Sequence, residues 1–122
     1  MKILLCSLLL CIGNLHAQYS TFTLTANKEV MTSAVTGTIV RIEYNYLELK
    51  IELYGTYGYI TFSSGPKYVM TSNAGGTETH MIFNGYNSET GSGAKIHFFT
   101  RGDKVIRMII EHSDYIFTYT RE

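Results

Sequence analysis

The stretch from Thr36 to Leu53, TGTIVRIEYNYLELKIEL, alternates apolar and polar residues at the two-residue period of a β-strand, yet it changes phase halfway. Val40, Ile42 and Tyr44 hold even positions, whereas Leu47, Leu49, Ile51 and Leu53 hold odd ones. A single strand over the whole stretch would far exceed the ~3–10 residues usual in globular sheets. The pattern therefore predicts two strands folded back at Asn45 and Tyr46, with Tyr44 opposite Leu47, Ile42 opposite Leu49 and Val40 opposite Ile51. Arg41, Glu43, Glu48, Lys50 and Glu52 would then share the solvated face.

The remainder of the chain repeats this habit. Short runs rich in Tyr, Ile, Val, Phe and Thr are separated by Gly, Asn, Ser and Asp clusters at roughly 8 to 12-residue intervals, the signature of antiparallel sheet. Strands are predicted at 19–25, 37–44, 47–54, 57–63, 67–72, 77–86, 94–100, 104–111 and 114–120. Pro66, the single proline, falls in a turn, where its fixed φ is useful and no ladder donor is required. At the C-terminus, pairing Ile110 with Tyr115, Met108 with Phe117 and Ile106 with Tyr119 gathers six large side chains on one face. The opposite face carries Val105, Ile109 and Ile116, with Phe99 joining them from the preceding strand. That apolar stripe is either covered by another segment or a docking surface.

These elements predict an all-β fold: one antiparallel meander of about eight or nine strands curling into a small up-and-down barrel, with a β-sandwich as the alternative. In strand number and hairpin order alone it resembles the lipocalin-like barrels; no family motif matches.

Composition adds a leader. Residues 1–17, MKILLCSLLLCIGNLHA, combine Lys2, an apolar run and a terminal small residue, as a secretory signal peptide does, leaving 18–122 as the single all-β domain. No later apolar stretch approaches the ~20 residues of a membrane-spanning helix. The expected destination is outside the cell or in a periplasm. Both cysteines, Cys6 and Cys11, lie in the leader, so a cleaved chain has no thiol for disulfide, metal or nucleophile. Charge is balanced at ten basic and ten acidic residues, which leaves no footprint for nucleic acid.

Candidate chemistry is sparse. His80 and His97 become neighbours if Met81 faces Ile96, but spacing supplies no third ligand, so no metal is assigned. His112, Ser113 and Asp114 are the residue types of a hydrolase triad, but three consecutive residues in a turn cannot make its shared hydrogen bonds. No nucleophile elbow, zinc-protease, phosphate-loop or dinucleotide motif occurs, so no catalytic residue and no cofactor is assigned. Arg101, Gly102 and Asp103 form an RGD tripeptide at a hairpin tip, and 87–93 reads as a flexible polar loop. The ten tyrosines, with no tryptophan, are the unusual feature. Tyr54, Tyr57, Tyr59 and Tyr68 group around the middle turns, where a stiff ring with a polar tip suits both sheet packing and ligand contact.

The expectation is an exported, non-enzymatic binding module for a small apolar ligand or a glycan. The alternative is a structural or interaction protein of the cell envelope or surface, acting on a protein partner or a second copy through Phe99, Val105, Ile109 and Ile116.

Overall fold

The computed structural model describes residues 19–102 and 104–121. They form ten antiparallel strands: β1 (Tyr19–Ala26), β2 (Lys28–Ser33), β3 (Ile39–Glu43), β4 (Leu47–Tyr54), β5 (Tyr57–Phe62), β6 (Lys67–Gly76), β7 (His80–Asn87), β8 (Gly93–Arg101), β9 (Lys104–Glu111) and β10 (Tyr115–Thr120). All belong to one sheet, ordered β1-β4-β5-β6-β7-β8-β9-β10-β2-β3. The meander is as expected, the strand count one higher, and the curled sheet is a half-barrel rather than two stacked sheets. The described residues contain no helix long and apolar enough to cross a membrane. The expected leader, its two cysteines, Asp103 and Glu122 lie outside the described residues.

β2 accounts for the added strand. The chain runs straight from β1 into β2, and at Asn27, whose N–H donates to the Thr120 carbonyl at 3.0 Å, it changes partners. Residues before Asn27 pair with β4, and residues after it pair with β10. One 15-residue segment thus serves both ends of the β4–β10 meander and draws them into a curl.

This topology corrects the first hairpin. β3 and β4 are indeed separate strands, but they do not pair: β3 lies against β2, while β4 is flanked by β1 and β5. With both edges of β4 occupied, β3 is left at the border of the sheet. Leu49, Ile51 and Leu53 are buried as expected, whereas Val40, Ile42 and Tyr44 are exposed.

Sixteen buried apolar side chains fill the concave face, among them Leu49, Ile51, Ile60, Met70, Phe98, Met108 and Ile110, each fully inaccessible. The C-terminal hairpin supplies much of this core in a register two residues from the expected one: Phe117 faces Ile110 and Tyr119 faces Met108. Parity is preserved, so Met108, Ile110, Phe117 and Tyr119 still point inward. Ile106 and Val105 exchange roles. Opposite Phe99 and Thr100, β9 steps from Arg107 to Val105, leaving Ile106 as an extra residue in a bulge that reverses the alternation. Val105 is 4% exposed and Ile106 is 41% exposed, so Val105 belongs to the core and not to the outer stripe.

Candidate functional site

The inward face of β10 lines a cleft of about 380 Å³ at the end of the half-barrel where the β5–β6, β7–β8 and β9–β10 turns meet. Phe117, Tyr119 and Tyr68 supply its aromatic wall, and Glu29, Asn87, His112 and Asp114 its polar groups. Each arrives by a local rule. Tyr68 opens β6 just after Pro66, and its ring packs against Phe62 in the core with its hydroxyl toward the rim. His112 sits in the tight β9–β10 turn, closed by its N–H donating to the Tyr115 carbonyl at 2.9 Å. Asn87 ends β7 by capping its own turn: Oδ1 accepts from the N–H groups of Glu89 at 2.8 Å and Thr90 at 3.2 Å. Gly91, at φ 78°, completes that reversal in the left-handed region. The expected flexible loop is thus a defined hairpin turn.

The hydrogen bonds fix proton positions. The Gly93 carbonyl can only accept, so His112 Nδ1 donates to it at 2.9 Å. In the neutral ring Nε2 is then an acceptor, and the Tyr68 hydroxyl donates to it at 2.8 Å. Tyr119, 4% exposed, faces the Glu29 carboxylate. Burial, then that negative charge, pushes the Tyr119 hydroxyl far above its ordinary pKa of 10.0. Tyr68 is raised as well, by burial first, with Asn87 opposing and Glu29 adding. Both phenols are therefore held protonated, the state of a donor and the opposite of what a nucleophile or base requires. Arg41 holds Glu29 from the neighbouring strand at 3.2 Å.

The four tyrosines named from sequence divide between two faces. Tyr54, Tyr57 and Tyr59 point outward with Tyr19, their ring centroids 5.0 to 6.1 Å apart, and Tyr54 and Tyr57 cover each other in a stack. Tyr68 alone is at the cleft. Of the C-terminal stripe, Phe99, Ile109 and Ile116 are half-buried on the convex face, where His97 faces Ile109 across the β8–β9 ladder. His80 and His97 do meet, but diagonally: Phe98 rather than Ile96 faces Met81, and His80 Nε2 lies 2.9 Å from His97 Nδ1. His97 Nε2 donates to Glu111 at 3.2 Å. No group of three metal-ligating side chains occurs among the described residues. Arg101 and Gly102 occupy the exposed β8–β9 turn.

Sequence reasoning missed Glu29, Tyr119 as a polar group, and His112 as anything beyond a turn residue. His112 carried a detectable signal, since a histidine followed by Ser-Asp at a hairpin tip beside an aromatic strand is placed to look across the rim. Glu29 carried none, because its strand was not recognised.

Fold and site together define a class, a curled antiparallel half-barrel with an aromatic, hydrogen-bonded cleft on its concave rim. Beyond that class no relative is at hand: no known family, no curated protein and no solved structure matches the chain.

Proposed function

We propose that this chain is an exported, non-enzymatic binding module that takes a small, neutral, polyhydroxylated ligand of about monosaccharide size into the Tyr68–His112–Tyr119 cleft. The observation that carries this reading is the convergence of fixed donors and acceptors on an aromatic wall in about 380 Å³. Clefts of roughly 300–1,000 Å³ with a few oriented polar groups are the usual form of small-molecule sites. A sugar combines an apolar C–H face for Phe117 with hydroxyls for Glu29, Asn87 and Asp114. A purely apolar ligand inside the half-barrel is disfavoured, since sixteen side chains already occupy that space. Export rests on the leader-like run 1–17. Titration of the isotope-labelled protein with glucose, galactose and N-acetylglucosamine tests the reading. One of them should shift the resonances of His112, Phe117 and Asn87, and His112→Ala should weaken that binding at least fivefold; saturating sugar with no movement at these residues would sink it.

A second reading is favoured by one observation. On the convex face Ile82, His97, Ile109, Thr118, Val30 and Ile42 stand opposite one another across six successive strands. Such a row, ending on exposed Ile42 at the sheet border, suits a protein interface. Sedimentation of the wild type against Ile109→Glu tests it: a folded variant of unchanged mass in solution would remove this reading.

A further inference from the structure

The half-barrel fails to close between β1 and the end of β10, and the gap is a second cleft, of about 660 Å³, away from the one along β10. Thr23, Leu24 and Thr25 form one bank, Val105 and Ile106 the floor and far bank, and Arg101, Lys104 and Arg121 stand around it. The fork at Asn27 creates it: β1 stays with β4, while β10 takes β2 as its partner.

The described charges here are of one sign. Ion pairs among the described residues use Arg41, Lys50 and His97, and ring contacts use Lys28, Lys67 and Arg107. Arg101, Lys104 and Arg121 are in neither set, and no described acidic residue lines the cleft. Among the described residues the charges around the cleft are all positive, which gives it a positive potential that an oxyanion between them would lower. Two of the three are arginines, whose planar fork matches a carboxylate with two parallel hydrogen bonds. The floor differs in kind. Leu24 and Val105 are core residues that line this cleft, and Ile106 is turned out onto it by the β9 bulge.

We infer that this seam is a binding site for an amphiphilic anion, an aliphatic chain lying along Leu24, Val105 and Ile106 with its carboxylate held by Arg101, Lys104 and Arg121. The site is independent of the sugar-sized cleft, and neither stands or falls with the other. Calorimetric titration of the full chain with decanoate, decanol and acetate tests it. Decanoate should bind at least tenfold more tightly than either of the others, because decanol lacks the charge and acetate the chain. Binding should weaken as salt is raised, since exposed charge pairs are screened over about 10 Å at 0.1 M. The double variant Arg101→Gln/Arg121→Gln should lose at least tenfold for decanoate with its melting temperature unchanged. Ile106→Ser should weaken decanoate while leaving acetate as it was. Equal binding of decanol and decanoate, an undiminished double variant, or adherence to phosphatidylglycerol vesicles without any binding of monomeric decanoate would each overturn the inference.

Discussion

The bulge in β9 makes a sharp test of the core, because it reverses the burial of two adjacent apolar residues. Val105→Ala removes two methyl groups from a side chain that is 4% exposed. At about 0.8 kcal/mol per buried carbon the transfer loss is about 1.6 kcal/mol, and the cavity left behind raises it to about 2–3 kcal/mol. Ile106→Ala removes three carbons, but from a side chain that is 41% exposed, so it should cost under about 0.5 kcal/mol. Unbroken alternation along 104–111 predicts the reverse: about 2–5 kcal/mol for Ile106, now a core isoleucine, and almost nothing for Val105. Urea unfolding followed by tyrosine fluorescence reads both values, the chain having no tryptophan. For a domain near 100 residues, 1 kcal/mol corresponds to about 4–8 °C in Tm, so Val105→Ala should melt at least about 8 °C below the parent and Ile106→Ala within about 4 °C of it. Ile106→Ala costing more than Val105→Ala, with equal denaturant slopes, would refute the bulge and with it the core assignment.

Alkaline pH should unfold the protein in a tyrosine-dependent way. Tyr119 keeps its proton in the folded state above its ordinary 10.0, whereas the unfolded chain releases it there, so stability falls as pH rises past 10. The slope per group is about 1.4 kcal/mol per pH unit; Tyr119→Phe should flatten the pH dependence between 10 and 11, and an unchanged slope would mean that Tyr119 titrates normally. Gly85→Ala should cost more than about 2 kcal/mol, since a Cβ there would overlap the Val69 carbonyl oxygen of β6. Gly93→Ala, with nothing within 4 Å of the new carbon, should leave Tm nearly unchanged; equal losses in the two variants would contradict the β6–β7 packing. Asn87→Ala removes the acceptor of two turn hydrogen bonds and should cost about 1 kcal/mol by urea unfolding.

How far these features could be read from residues alone depends on whether burial and alternation agree. β4 and β9 have the boundaries the pattern predicts, 47–54 and 104–111, because Leu49, Ile51 and Leu53, and Met108 and Ile110, alternate with polar or outward residues over most of their length. Pairing partners were less legible. Parity cannot tell whether β3 or β1 lies against β4, since either choice buries the same face of β4. Turn registers were uncertain by two residues at both β7–β8 and β9–β10, a shift that keeps every side chain on its face and so leaves no trace in the pattern. β6 runs on to Gly76 through Asn73, Ala74 and Gly75, which fell between the expected strands 67–72 and 77–86. Two register shifts against β7 absorb those residues.

The missed strand and the missed site have one cause. Phe22, Leu24 and Ala26 set an inward phase on even positions, and continuing it through β2 would bury Val30 and turn Glu29 to solvent, as burial preference alone favours. The switch of partners at Asn27 reverses the phase. Glu29, Met31 and Ser33 stand opposite Tyr119, Phe117 and Tyr115 of β10, while Val30 is turned to the convex face. A one-residue change of phase on either side would remove this conflict, yet the fold keeps Glu29 on the concave face and Val30 on the convex one, both half-buried. What holds Glu29 there is specific: Arg41 at 3.2 Å and the phenol of Tyr119. The ion pair is half exposed on the Arg41 side, so it stabilises the fold by no more than about 1 kcal/mol. Val30 is already half-buried on the convex face, so only part of the roughly 1.5–3 kcal/mol of a full burial is forgone there. A burial preference overridden in this way is typical of functional positions, and Glu29 lines the cleft with Tyr68, His112 and Tyr119.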